Sequence, residues 1–308
     1  MKKIIIDTDP GVDDALAILL AITSKLNIIG ITTTFGNSTI ENTTRNALTI
    51  LEILQSSIPV YMGSSNPLIK TPIVAKSHGK NGLGGFSIKN IKNIKKKISA
   101  IQFIINTLEE NVTKEVDILC LGPTTNLALL KILRPDLICK INQIIILGGV
   151  FFEKGNITPT AEFNVYNDPK ALDILLSFNV PTTLIPINVC RKVVFNINDF
   201  NQIKNTNISK SFKQISKIYI DYYKNDPKYG KFKGGVMYDL LVISFLINSN
   251  SFKTENKYIS VKSNGQTKIK NDIASNCNLV VGVNPKKVKQ LFFSTINSNL
   301  NTQSIIKC

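Results

Sequence analysis

The chain has 308 residues, 43% of them hydrophobic and 19% charged, which is enough apolar material for a sizeable core and too much for a disordered or collagen-like chain. Its formal net charge is +16, yet only three of its 37 cationic side chains are arginine (Arg45, Arg134, Arg191). The lysines are dispersed among Asn and Ile without Arg or aromatic clustering, which reads as drift toward A/T-rich codons and argues against a nucleic-acid partner.

The first β-prone run, Ile4 to Asp7, meets Asp7, Asp9, Asp13 and Asp14 too soon to be a secretory leader. Pro10 suits the first position of a helix carrying the apolar run Ala15 to Ile22. Further apolar strands are expected at Ile28 to Thr34, Val60 to Gly63, Ile118 to Gly122, Ile144 to Gly149 and Thr183 to Ile187, with helical patterns between them. Lys89 to Lys97 reads as a solvated connection. Asn167-Asp168-Pro169 offers a cap and a preset φ before a helix over Ala171 to Phe178. Continuous apolar strands alternating with helices predict an α/β fold: an open, mostly parallel, doubly wound sheet with helices on both faces. From Asn196 to Lys233 the chain is polar, and Phe212, Ile215, Ile218 and Tyr222 are spaced for an amphipathic helix that makes an excursion over the sheet. Tyr238 to Ile247 reads as a helix, Lys257 to Ile269 as a hairpin turning at Asn264-Gly265, and Pro285 to Asn301 as a closing helix. No linker or repeat divides the chain, so residues 1–308 are expected to form one domain. No apolar run approaches the roughly 18 residues of a membrane span, so no membrane association is expected. Five widely spaced cysteines without a C-x-x-C pair fit neither a disulfide framework nor a zinc site, and suit a reducing cytoplasm.

The stretch Asp7-Thr8-Asp9-Pro10-Gly11-Val12-Asp13-Asp14 lies where the first strand gives way to the first helix. Two like charges about 4 Å apart repel by about 4 kcal/mol at an effective dielectric near 20. One or two of these carboxylates could simply cap the helix; four together call for a hard cation with oxygen ligands, in the crevice beyond the strand ends where such folds bind ligands.

This segment resembles the N-terminal D-x-D-P-G-x-D-D signature of the nucleoside hydrolases, the inosine-uridine preferring family. Further segments resemble the family in order: Thr34-Phe35-Gly36-Asn37, Leu121-Gly122-Pro123-Thr124-Thr125-Asn126, Leu147-Gly148-Gly149 with Gly155-Asn156, Ala161-Glu162-Phe163-Asn164 with Asp168-Pro169, and Met237-Tyr238-Asp239. The resemblance implies a Ca²⁺ ion held by Asp9, Asp14, the Leu121 carbonyl and Asp239, with Asp9 also taking a proton from the attacking water. It further implies that Asp13 and Asn164 hold ribose hydroxyls, Asn156 and Glu162 the 5′-hydroxyl end, and Asn37 the water or the developing charge, with Asp7 behind them. The implied reaction is hydrolysis of the N-glycosidic bond of a ribonucleoside in nucleobase salvage, by a homodimer or homotetramer.

The chain departs from the family pattern at Tyr238, where many members carry His before the last metal-binding Asp. A phenol donates a hydrogen bond at neutral pH but is a weaker acid than imidazolium. Three readings follow: Tyr238 assists a particular leaving group, with a pyrimidine preferred; His78 supplies the proton; or turnover is slow. His78, the only histidine, lies in Ser77-His78-Gly79-Lys80-Asn81-Gly82-Leu83-Gly84, which resembles the family's H-G-x-x-G-L-G segment beside the base. The glycines there do not follow the dinucleotide-binding spacing. Tyr222, Tyr223 and Tyr229 lie in the segment that approaches the base in the family; apolar spacing alone makes the first two packing residues, and Tyr229 is the candidate base contact. Two other functions compete with this one, a non-catalytic nucleoside-binding protein and a Mg²⁺-dependent aspartyl phosphatase of the haloacid dehalogenase kind. The phosphatase leaves Asn164 and Asp239 unexplained.

Overall fold

The structure is a computed structural model that describes residues 2–225, 232–271 and 273–300. Eleven strands are present among these residues: β1 (Lys3–Thr8), β2 (Ile28–Thr33), β3 (Val60–Met62), β4 (Val116–Cys120), β5 (Ile141–Leu147), β6 (Thr182–Ile185), β7 (Val194–Phe195), β8 (Gly235–Val236), β9 (Phe252–Val261), β10 (Thr267–Lys270) and β11 (Cys277–Val283). The helices are α1 (Val12–Thr23), α2 (Ile40–Ile53), α3 (Ala100–Glu110), α4 (Thr125–Leu133), α5 (Phe163–Asn167), α6 (Pro169–Leu176), α7 (Ile187–Cys190), α8 (Thr206–Asn225), α9 (Leu240–Ile247) and α10 (Pro285–Leu300).

Nine strands form one sheet in the order β10-β9-β11-β6-β5-β4-β1-β2-β3, while β7 and β8 pair separately. From β3 to β11 every neighbouring pair is parallel, and the β9–β10 hairpin closes that edge antiparallel. The strand order reverses between β1 and β4, so the connections after these two strands leave in opposite directions and open a crevice at their carboxyl ends. Asp7 sits in that ladder opposite Cys120 on one side and Thr32 on the other.

The central strands read as unbroken apolar runs because both faces are covered. Along β1, Ile4 and Ile6 join the core packed on α1, while Ile5 joins the core under α3 and α4. Helix α1 is enclosed by the sheet and by α2, α8, α9 and α10. Beyond its first-turn aspartates its sequence VDDALAILLAIT is accordingly apolar all round, and every residue from Val12 to Ala21 is buried.

Several local expectations shift in detail. Pro10 does not open α1: Gly11 is the N-cap and Val12 the first helical residue. At α6 the cap is as expected, with Ala171 N–H donating to Asp168 Oδ1 at 3.1 Å and Pro169 following. On α8 the buried stripe is Ile208, Phe212, Ile215, Tyr219 and Tyr223, whereas Ile218 is 46% exposed and Tyr222 only partly buried. Strand β9 starts at Phe252, five residues earlier than the pattern indicated, and β11 had no expected counterpart. Among the described residues no helix is long and apolar enough to cross a membrane.

Candidate functional site

The reversal between β1 and β4 places a cavity of about 300 Å³ above the first turn of α1. Asp9, Asp13, Asn37, His78 and Leu121 line it from one side, Asn156, Glu162 and Asn164 from another, and Tyr238 and Asp239 from a third. These are the residues singled out from the sequence, apart from Asp14, which is fully buried beside them, and Tyr229, which lies outside the described residues.

The floor is acidic. Asp13, Asp14 and Asp239, all buried, bring carboxylate oxygens within 4.8 Å of one another. Asp14 has two tasks: its Oδ2 accepts from the N-cap Gly11 N–H at 2.9 Å, which closes the start of α1, and its Oδ1 accepts from Thr8 Oγ1. Asn37 ties the floor together, its Nδ2 donating to Asp14 Oδ2 at 3.0 Å and to the Asp9 carbonyl at 3.1 Å. The Asn37 main-chain N–H donates to Asp9 Oδ2 at 2.7 Å. The backbone can come this close only because Gly36, at φ +147°, has no Cβ; one built there would overlap Asp9 Oδ2. Behind the floor, Asp7 Oδ1 accepts from Thr32 Oγ1 at 2.6 Å and from Asn126 Nδ2 at 2.7 Å.

Burial penalises the charges of Asp7, Asp9, Asp13 and Asp239. It raises the Asp7 carboxyl to about 6. Burial, then the charge of Asp14, carries Asp13 to about 8. Asp9 is pushed well above the ordinary carboxylate range by burial and then by Asp14. Burial, then the charges of Asp13, Asp14 and Asp9, does the same to Asp239, which also shares a side-chain hydrogen bond with Asp14. Asp13 Oδ1 and Asp239 Oδ1 have no hydrogen-bond partner among the described residues. Orphaned, desolvated oxygens facing one another fit a hard cation, which offsets the charge and supplies the missing partner. The close group contains Asp13, which the resemblance assigned to ribose; Asp9 adds its charge from the side. The Leu121 carbonyl accepts from Asn164 Nδ2 at 2.6 Å, and the Leu121 N–H extends the sheet ladder to the Asp7 carbonyl at 2.7 Å.

On the opposite side, Glu162 caps α5. Its Oε1 accepts from Asn164 N–H at 2.8 Å, and its Oε2 from Val165 N–H at 3.0 Å and Gly149 N–H at 3.3 Å. Burial nevertheless lifts its carboxyl to about 7. Asn156 Oδ1 accepts from Phe163 N–H at 2.8 Å.

His78 is held as a neutral ring. Its Nδ1 accepts the Val12 N–H at 3.0 Å, so the ring proton belongs on Nε2. Burial lowers its pKa to about 3. Gly11 makes room for the ring, since a Cβ there would overlap Nδ1. A neutral imidazole held this way can donate from Nε2 but does not act as an imidazolium acid.

The tyrosine wall adds Tyr219, which the sequence did not single out, to Tyr222 and Tyr223, which apolar spacing alone makes packing residues. Tyr219, Tyr222 and Tyr223 of α8 line the cavity with Tyr238. The Tyr223 hydroxyl donates to the Tyr238 hydroxyl at 3.1 Å, and the Tyr219 hydroxyl donates to the Val236 carbonyl at 2.7 Å. Burial keeps Tyr219 and Tyr223 well above the ordinary phenol range, so both stay protonated donors. Apolar spacing marks these side chains as buried; nothing in the spacing distinguishes a packing phenol from a cavity-lining one.

Likeness to known proteins extends over nearly the whole chain. Residues 4–290 match the family described as inosine-uridine preferring nucleoside hydrolase. The chain is 38% identical to uridine nucleosidase 1 of Arabidopsis thaliana, over 86% of this chain and 79% of that protein. It is 35% identical to the pyrimidine-specific ribonucleoside hydrolase RihA of Escherichia coli O1:K1, over 85% of each. Among solved structures, a purine-preferring ribonucleoside hydrolase from Gardnerella vaginalis superposes with a TM-score of 0.90 at 29% identity, covering 96% of this chain and 98% of that one.

Proposed function

The chain belongs to the inosine-uridine preferring nucleoside hydrolase family and is an N-glycosyl hydrolase of ribonucleosides; from that premise we propose that it is Ca²⁺-dependent, prefers pyrimidine nucleosides and serves nucleobase salvage in the cytoplasm. The observation that carries the proposal is the convergence of Asp9, Asp13 and Asp14 with the distant Asp239 under one cavity at the β1/β4 reversal.

In this reading Asp9, Asp14, Asp239 and the Leu121 carbonyl hold the ion, with Asp13 against it. When bound, the ion offsets the carboxylate charge, grips vicinal hydroxyls and lowers the pKa of water. Asp9 accepts the proton of the attacking water, a task suited to a carboxylate whose proton affinity is raised by burial and by Asp14. Asp13 and Asn164 orient the ribose, and Asn156 and Glu162 take its 5′ end. Asn37 keeps Asp9 aimed through its main-chain N–H. As the glycosidic bond breaks, positive charge grows on the sugar, and the acidic floor stabilises that charge more than it stabilises the ground state.

The departing base needs a donor. Tyr238 is assigned that role, with Tyr223 donating to its hydroxyl; His78, as a neutral Nε2–H donor, contacts the base, and Tyr229 is proposed as a further base contact. A phenol suits a leaving group that needs a hydrogen bond rather than a full proton, and the names of the two relatives at 35–38% identity support a pyrimidine. The free thiols of Cys120, Cys139, Cys190 and Cys277 are in keeping with a reducing compartment.

The test is to incubate the purified protein with uridine, cytidine and inosine, with Ca²⁺ or with a chelator, and measure released reducing sugar. Release that requires the ion, is faster with uridine than with inosine and is lost in Asp9→Ala is the expected result. Ion-independent release, or an active Asp9→Ala protein, overturns the assigned machinery.

A further inference from the structure

One side of the cavity is a strap, residues 73–78, that lacks helix and strand and is held at its two ends by different means. At one end His78 Nδ1 receives the Val12 N–H from the start of α1. At the other, the Ile73 N–H donates to Asn167 Oδ1 at 2.9 Å, and Asn167 Nδ2 donates back to the Ile73 carbonyl at 3.2 Å. The side-chain amide thus pairs with the main chain much as a neighbouring strand would. Between the ends, the Ala75 N–H reaches the Gly36 carbonyl only at 3.4 Å. Ile73 and Val74 are 38% and 48% exposed, so apolar burial does little to hold the strap. Asn167 is itself buried and ends α5, the short helix whose start presents Glu162, Phe163 and Asn164 to the cavity.

We infer that Asn167 is a positioning residue that ties the 73–78 strap to α5 and so sets the width of the cavity beside Glu162 and Asn164. The inference rests on the nucleoside-hydrolase reading of that cavity. Asn167 does not line the cavity and acts only through Ile73. Because α5 carries the residues assigned to the sugar, and the sugar is common to all ribonucleosides, loosening the strap weakens uridine and inosine binding alike. Interactions made equally in ground and transition state appear in KM and spare kcat.

The test compares Asn167→Ala with the wild type in steady-state kinetics on uridine and on inosine at saturating Ca²⁺, alongside amide hydrogen exchange. The expected result is a rise in KM of about tenfold for both nucleosides, the worth of two modest hydrogen bonds, with kcat changed by less than about threefold. Exchange is expected to accelerate at 73–76 and not in α1. Asn167→Asp keeps the acceptor for the Ile73 N–H and loses the donor, so its KM falls between the two. An unchanged KM in Asn167→Ala, a rise confined to one nucleoside, a loss confined to kcat, or unaltered exchange at the strap overturns the inference. Should Asn167→Ala fail to fold by circular dichroism, Asn167→Asp decides: a raised KM supports the tether and a wild-type KM removes it. A wild type inactive on both nucleosides would instead overturn the functional reading, leaving the exchange measurement to judge the tether.

Discussion

At the floor of the cavity, carboxylates that repel one another are forced within 4.8 Å by the burial of the elements carrying them, whereas at the wall the Tyr223 hydroxyl donates a hydrogen bond to that of Tyr238. The floor is complete only with an added positive charge; the wall is built of hydroxyl groups rather than carboxylates. Electrostatic strain is therefore concentrated where the sugar cation develops, and directional donors stand where the base departs. The two regions should respond to mutation in opposite senses: the floor gains stability as it loses function, and the wall loses function with little change in stability.

Asp239→Asn probes the floor most directly. Turnover is expected to fall by at least about a thousandfold, because one carboxylate of the charge-stabilising group is gone. In chelator the variant should melt at or above the wild type, since repulsion among buried charges is relieved; added Ca²⁺ should raise the wild-type melting temperature and not the variant's. A variant less stable than wild type in chelator breaks the contrast. At the wall, Tyr238→Phe is expected to lower kcat on uridine by about ten- to a hundredfold with the melting temperature nearly unchanged. Tyr238→His should raise inosine cleavage relative to uridine, and an unaltered inosine rate would remove leaving-group protonation as the limiting step.

A further expected effect concerns pH. The Glu162 carboxyl is lifted by burial from 4.5 to about 7, so the folded protein binds that proton more tightly than the unfolded chain. Its contribution to stability is complete below about pH 4.5 and is lost as pH rises through about 7. Urea unfolding of metal-free protein should accordingly show Glu162→Gln losing less stability than wild type between these limits, by on the order of 3 kcal/mol. Equal losses in the two proteins would mean that the amide donors around Glu162 fully offset its burial.

The floor was legible because its information is local. Asp9, Asp13 and Asp14 fall within one strand-to-helix junction, and the Met237-Tyr238-Asp239 segment matched a family pattern. The placement of Asp13 rather than Asp9 in the close carboxylate group was not legible, because it follows from how the first turn of α1 faces Asp239 more than two hundred residues away. The wall was half legible. Phe212 and Ile215 mark the buried face of α8, but that face turns toward Tyr219 and Tyr223 rather than Ile218 and Tyr222, and only packing against β8 and α1 decides between them. The start of β9 carries the exposed polar run Lys253 to Asn256, which gives no alternating signal at the end of the sheet where it lies. The neutral state of His78 depends on an amide donor 66 positions away in sequence.

Enclosure of α1 also bears on how the protein is made. The helix that presents Asp13 and Asp14 is synthesised well before three of the helices that cover it, α8, α9 and α10, the last of which ends at Leu300. At ordinary rates of synthesis, its apolar run from Ala15 to Ile22 must wait about 15 to 60 seconds for its full cover. A nascent chain stopped before α8 would expose that segment and lack Asp239 as well, so incomplete products should be both inactive and dependent on chaperones for solubility.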